Sequence, residues 1–424
     1  MQQGSAAPRL SMKWMAGASA WLFASQALAM FAPLVSFPIL ARALGVLRFS
    51  EYAVVTASAA TTLIFIDFGL NLTAARAAAQ NIGDRNEQGS ILASVIFAKI
   101  ALAILCVPGF FSLLLFSHVR SAASAWPWLI YLGTVLASLS PTWALTARGE
   151  GRTVAIVIGL PKVLLAAACM TLVRRPEDII LAAAATLIAN SAGLVIAIRR
   201  LSVSGVRAVG GSLTQMKRLM SQSVFVFSSM LGANLYTTAN VILVTSLLGT
   251  QSGGLFAAAD RIRTATTSLT SPISTLLYPA LCRLEHFGGD QQELRTKRLL
   301  FACILLVGLG SSLMLFGFPE LLVRLLAGTE FVQSAPVLRA LAPAPLLIAG
   351  STILGTHTLL PQKRERAFAM VLNLGALIGV VSMALLSARF GLLGSAASIV
   401  LTEGAVTATM FALVTLHTRR KPKC

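Results

Sequence analysis

The side chains of this sequence best equipped for chemistry are ionisable groups set in apolar surroundings. Residues 65–80 read FIDFGLNLTAARAAAQ and follow an uncharged run from Ala53 to Phe65, so Asp67 sits in an oily helix with Asn71 and Arg76 beyond it. An ionised carboxylate in hydrocarbon costs roughly 2.5–3.5 kcal/mol even on the mildest scales. Lys162 lies mid-way along VAIVIGLPKVLLAAACM, directly after Pro161. Lys99 stands about nine residues into its own apolar run, roughly 13 Å deep at 1.5 Å per residue. Asp260, Arg261, Arg263, Arg339 and His357 add to the set, and Glu403 is centred in LLGSAASIVLTEGAVTATMFAL with no charged neighbour for more than a dozen residues either way.

Buried charges of this kind line a pathway or neutralise one another. Asp260 and Arg263 are three apart on one helix, close enough to pair. Arg339, about five residues from its helix start, could snorkel outward. Lys99, Lys162 and Arg261 have no such local excuse, which points to a water-filled cavity with cationic walls. Glu403 and Asp67 are the candidates for binding a coupling ion, with Asp260 a further candidate for that role or for a gate, since burial raises a carboxyl's proton affinity; the alternative for Glu403 and Asp67 is a cation from another helix. Asn71 and Arg76 would join Asp67 in a polar gate. Asn234, Thr237 and Thr238, from ANLYTTAN at 233–240, share a helix face and either bond neighbouring helices or line the lumen with His357.

The elements that must hold these groups are membrane spans. Of 424 residues 56% are hydrophobic and 12% charged, against about 25% charged in a soluble domain. Runs long enough to cross a bilayer fall near 14–40, 51–74, 90–116, 126–147, 153–173, 178–198, 222–248, 254–281, 299–318, 334–356, 367–388 and 391–415. The fold expected is all-α and polytopic, with about twelve transmembrane helices. The first run is longer than a signal-peptide core and reads as a retained span. With the N-terminus inside, 22 of the 34 Lys and Arg fall on cytoplasmic segments and 7 on the opposite loops. This is the positive-inside asymmetry, and it predicts that both termini are cytoplasmic. The net charge of +19 is therefore a topology signal, and no nucleic-acid partner is expected.

The basic stretch RRLSVSGVRAVGGSLTQMKR (199–218) divides the spans six and six, predicting lobes of 1–198 and 222–424 about a flexible linker over 199–221. An echo supports duplication: ILARALGVLRFSEYA (39–53) against LVTSLLGTQSGGLFA (243–257) pairs Leu44-Gly45 with Leu248-Gly249, and the same offset pairs Pro141 with Pro345. Lobes of six spans share one orientation and are related by a pseudo-two-fold axis along the membrane normal. Pro33 and Pro38 should kink the first helix, and Pro272 and Pro279 the eighth. Phosphate-loop, dinucleotide and zinc-protease motifs are absent, as is any loop large enough for an external catalytic domain. The five cysteines form no C-x-x-C pair, so no metal, disulfide framework or cofactor is expected.

Several segments taken in order, IDFGLNLTAARAAA, SPTWALTARGEGR, AAADRIRTATTSLTSPISTLLYPAL and VLRALAPAPLLIAGSTILGTHTLLPQKRERAF, resemble the Wzx-type flippases of lipid-linked oligosaccharides. These belong to the multidrug/oligosaccharidyl-lipid/polysaccharide (MOP) superfamily, to which the MATE pumps also belong. The likeness runs through most of the chain; it departs at Trp143-Ala-Leu-Thr-Ala-Arg-Gly149, where the family often carries a Phe-Gln-Gly-type sequence. It implies a non-enzymatic transporter of the bacterial inner membrane. The cargo would be a polyprenyl-pyrophosphate-linked oligosaccharide, moved from inner to outer leaflet for surface or exopolysaccharide synthesis. Lys99, Lys162, Arg261, Arg263 and Arg339 would then supply positive charge for the pyrophosphate. H+ or Na+ is the implied coupling ion, and membrane lipid, a polysaccharide polymerase and export machinery are the implied partners. A drug–cation antiporter and a membrane-embedded polymerase or ligase are the competing readings.

Overall fold

The computed structural model describes residues 12–271, 273, 274, 281, 291–362 and 364–420, and their regular structure is helical throughout. Helices are what bilayer physics demands, because each backbone polar group must find its partner within the segment. The first half contains α1 (Met12–Asp67), α2 (Leu70–Gln80), α3 (Arg85–Phe116), α4 (Ala125–Leu139), α5 (Thr142–Ala147), α6 (Gly151–Leu172) and α7 (Ile179–Val203). The second holds α8 (Leu213–Thr237), α9 (Ala239–Ser268), α10 (Gln291–Gly317), α11 (Pro319–Leu326), α12 (Ala335–Ala340), α13 (Ala344–Leu354) and α14 (Glu365–Arg420). Among the described residues eight helical stretches are long and apolar enough to cross a membrane, or nine if Thr329–Ala340 and Ala344–Leu359, bent by 48°, form one span.

Three of those stretches are double. Val35–Gln80 runs 46 residues, about 69 Å as a straight helix against roughly 30 Å of hydrocarbon. The chain folds back at a glycine: Gly45 has φ 64° and ψ 175°, a region essentially closed to other residues. Phe37 and Phe49, about 18 Å apart on an unbroken helix, have ring centroids 5.7 Å apart. Gly249 (φ 85°, ψ 168°) reverses α9 in the same way, bringing Thr245 onto Gly253. Gly391 (φ 59°) reverses α14, so that the Ser387 and Ser395 hydroxyls lie 2.8 Å apart and those of Ser382 and Ser398 2.6 Å apart. The glycines of the sequence echo, Gly45 and Gly249, thus share one backbone conformation.

Helical dihedrals persist past Pro33 and Pro38, and the residue inside α1 with non-helical dihedrals is Gly45; Pro272 and Pro279 lie outside the described residues. The basic connection is shorter than the expected 199–221, because α7 extends to Val203 and α8 starts at Leu213. Residues 204–212 lie along α3: Ser90 Oγ donates to the Gly210 carbonyl (2.9 Å), and the Ser212 amide donates to Ser94 Oγ (3.2 Å).

The halves meet at the end of the bundle carrying the Gly45 and Gly249 reversals. Gly254 lies against the Val46 carbonyl, and a Cβ on Gly253 would meet Ser50 Oγ at 2.9 Å. Phe49 meets Phe331 edge to face at 5.6 Å, and Arg42 Nη2 donates to the Leu325 carbonyl at 2.5 Å. If these glycines set the reversals, Gly249→Ala, whose added methyl meets nothing within 4 Å, should destabilise through the backbone alone, by about 1–3 kcal/mol. Gly45→Ala should cost more, its Cβ approaching the Glu330 carboxylate at 3.0 Å. Thermal unfolding in detergent measures both, and unchanged melting would remove the glycines' assigned role.

Candidate functional site

Asp67 sits at a break. Helix α1 ends on it, Phe68 (φ 45°) and Gly69 (φ 74°) are left-handed, and α2 begins at Leu70. A left-handed phenylalanine is strained and needs surrounding structure to impose it. That structure is a closed polar knot. Lys99 Nζ donates to Asp67 Oδ1 (2.7 Å), Asn71 Oδ1 (2.9 Å) and the Ser138 carbonyl (2.5 Å), which uses all three ammonium protons. Asp67 also accepts from Ser138 Oγ (2.9 Å) and Asn71 Nδ2 (3.0 Å). The Ser138 carbonyl is available because α4 stops at Leu139 before Pro141, and a helix C-terminus favours a cation.

Lys99 is only 1% exposed, so its assignment as a lumen cation is corrected: its charge is spent on Asp67. The expected gate of Asp67, Asn71 and Arg76 is corrected likewise. Asp67 and Asn71 are turned into their own half, and Arg76 lies beyond them, exposed. What the break presents to the other half is its outer surface. Phe68 stacks on Phe227 of α8 at 4.5 Å, Thr73 and Ser223 hydroxyls lie 2.7 Å apart, and a Cβ on Gly69 would strike Val226 at 2.9 Å.

Between the two regions of contact lie two adjoining cavities. One, of about 620 Å³, is lined by Thr56, Thr237, Thr238, Asn240, Asp260, Arg261, Arg263, Glu403 and further side chains. The other, of about 340 Å³, is lined by residues including Tyr52, Thr56, Thr134, Lys162, Thr186, Asn190 and Arg261. Ala53, Thr56, Ala60 and Arg261 border both, so the two adjoin along α1.

Charge divides unevenly between them. In the larger cavity Arg263 is buried and donates twice to Asp260 (2.9 and 2.6 Å), which is the local pairing their spacing allows. Glu403 is 5% exposed on the same wall. The smaller cavity has no acid among the described residues of its lining. Lys162 and Arg261 face it, exposed, and neither has an ion pair among the described residues.

Other expected members fall elsewhere. Arg339 is exposed at the end of α12, away from the lining of both cavities. His357 is 0% exposed, inside a π-helical turn (Gly355–Leu359) against Phe301, so it is no lumen residue either. Asn234 is buried outside the lining, whereas Thr237 and Thr238 border it at the α8–α9 break. Sequence reasoning missed the hydroxyl band of Thr56, Thr264, Thr267, Ser351, Thr352 and Thr356. Its one legible signal was threonine three or four residues from threonine within apolar helices, as in 264/267 and 352/356.

The two lysines should therefore behave oppositely on neutralisation. Lys99→Met strands a buried carboxylate and should cost about 3 kcal/mol or more, with Asp67→Asn recovering part of the loss in the double variant. Lys162→Met should change stability by less than about 0.5 kcal/mol. Melting of the four proteins in detergent decides; equal losses at both lysines would contradict the assignment.

Comparisons with known proteins fit this geometry. A family model described as "Polysaccharide biosynthesis protein" matches residues 17–285. The chain is 27% identical over 386 residues to a protein of Escherichia coli (strain K12) named "Putative O-antigen transporter", covering 90% of this chain and 92% of that one. A protein of the same name from Shigella dysenteriae is 26% identical over 379 residues, covering 88% and 92%. Among solved structures, an inward-facing MATE multidrug transporter of the MOP superfamily superposes with a TM-score of 0.77 at 13% identity, over 95% of this chain and 100% of that one. The lipid II flippase MurJ in an inward closed conformation gives 0.75 at 13% identity, over 94% and 87%. The fold is that of the MOP superfamily transporters, and the chain belongs to the polysaccharide biosynthesis protein family.

Proposed function

We propose that this protein is a flippase that carries a polyprenyl-pyrophosphate-linked oligosaccharide from the inner to the outer leaflet of a bacterial inner membrane. The observation that carries the reading is the acid-free cavity faced by Lys162 and Arg261. Two cations outside any ion pair, exposed to one cavity, attract an anion to it, and a pyrophosphate is an anion that would otherwise meet a prohibitive penalty in hydrocarbon. The hydroxyl-lined larger cavity alongside suits a sugar head group, whose hydroxyls need hydrogen-bond partners once out of water. The prenyl chain stays in lipid. The relatives' names, O-antigen transporter and lipid II flippase, point to the same cargo class.

On this reading residues 1–198 and 222–424 act as two lobes, with both termini cytoplasmic as the charge asymmetry predicts. The Gly45 and Gly249 reversals then form the outer contact and the α2–α8 seam the inner one. Cargo enters as the seam opens and leaves as the outer contact opens. H+ or Na+ coupling would run through Glu403, the buried carboxyl on the cavity wall; Asp67 is committed to Lys99. Handover to a polymerase and export machinery would follow at the outer face. A drug cation fits less well, since Lys162 and Arg261 would repel it.

The test is cargo distribution between leaflets in a deletion strain complemented with variants. Lys162→Gln with Arg261→Gln should slow flipping at least about tenfold, the scale of one lost charge-assisted hydrogen bond, at wild-type protein levels. Inner-leaflet accumulation is the expected result. Normal distribution with both cations gone would refute the assignment.

A further inference from the structure

A third cavity lies apart from the central pair. It occupies about 340 Å³ between α2, α3 and α8, at the end of the bundle opposite the Gly45 reversal. The walls are polar: Thr73, Gln80, Asn81 and Gln222 line it together with Arg76, Arg218, Glu87 and Gln215. Helices α2 and α8 run antiparallel there. Contacts step from Phe68–Phe227 through Gly69–Val226 to Thr73–Ser223, and the next turn of each helix brings an arginine to the cavity. Arg76 comes from the first half of the chain and Arg218 from the second.

Neither guanidinium is in an ion pair or side-chain hydrogen bond among the described residues, and both are exposed. The one acid on the lining is occupied: Glu87 Oε1 accepts from Gln215 Nε2 at 2.8 Å. Gln215 is itself fixed, its Oε1 accepting from Ser90 Oγ (2.8 Å) and Ser94 Oγ (2.9 Å). The cavity has room for on the order of ten waters. Two guanidinium forks facing one such space match the oxygens of a phosphate, which they bind bidentately. Two guanidinium charges against one carboxylate leave the net charge of the described lining positive.

We propose that this cavity is a binding site for a phosphate-bearing anion, either the head group of an anionic lipid or a soluble phosphate, held between Arg76 and Arg218. It is separate from the site faced by Lys162 and Arg261 and stands whether or not that site carries pyrophosphate. Because each half contributes one arginine, the bound anion ties α2 to α8 and favours the closed seam.

The test titrates inorganic pyrophosphate against the full chain in phosphatidylcholine nanodiscs and in discs containing phosphatidylglycerol. Saturable binding should survive in Lys162→Gln/Arg261→Gln and weaken about tenfold for each guanidinium removed in Arg76→Gln/Arg218→Gln. Arg76→Lys/Arg218→Lys keeps the charge and loses the fork, and should weaken binding by an intermediate factor. Competition by phosphatidylglycerol identifies a lipid head group as the natural occupant; undiminished binding in both discs identifies a soluble phosphate. Absence of saturable binding in the wild type overturns the proposal. So does wild-type affinity in the two arginine variants, or a loss confined to the Lys162/Arg261 variant.

Discussion

One buried ammonium organises this half of the molecule. Lys99 gives its three protons to Asp67, Asn71 and the Ser138 carbonyl, and those acceptors exist only because two helices are interrupted. The α1–α2 run breaks at Phe68 and Gly69, and α4 ends before Pro141. Each interruption alone would leave polar groups stranded in a bilayer, at several kcal/mol apiece. Brought together around one cation they satisfy each other. A buried pair of this kind adds little net stability over a well-packed apolar core; it does specify where the breaks fall.

The position of the break matters because of what stands on its other side. With α1 and α2 offset by Phe68 and Gly69, a flat patch free of Cβ meets Val226 and Ser223, and Phe68 turns its ring onto Phe227. The apolar cluster beneath α2, with Leu70, Ala74, Trp143 and Leu145 joined by Leu219 of α8, fixes its bearing. The contact between the halves at this end thus rests on a surface shaped by charge pairing hidden behind it. At the far end Gly253 and Gly254 approach Val46 and Ser50, within an apolar cluster that draws Leu44 and Phe49 from the first half and Leu255 and Phe331 from the second.

Charge then decides what the space between can hold. Arg263 and Asp260 cancel locally, Lys99 and Asp67 cancel across helices, and Lys162 and Arg261 are left facing a cavity without acids. Of the five cations read from the spans, Lys99 and Arg263 are paired, Arg339 lies away from both cavities, and Lys162 and Arg261 face the smaller one outside any ion pair among the described residues. The hydroxyl-bearing wall beyond them offers hydrogen bonds without net charge.

Much of this architecture was legible in the chain. Composition alone demands a helical membrane protein, since too few polar residues are present to cover a wet surface. The Leu44-Gly45 and Leu248-Gly249 echo marks two reversals, because only glycine tolerates their dihedrals. The pairing of Asp260 with Arg263 follows from helical spacing. Lys99 and Lys162, by contrast, look alike in sequence: each is a lone lysine deep in an apolar helix. Their fates part on which groups of other helices arrive beside them: for one, the Asp67 carboxylate from 32 positions away and the Ser138 carbonyl from 39; for the other, no acid among the described residues of its cavity. Arg339 and His357 fell outside the cavities for the same reason. Local spacing determines helices, breaks and neighbours within a turn; whether a buried charge is cancelled or left free is a property of packing between helices, and only the tertiary structure decides it.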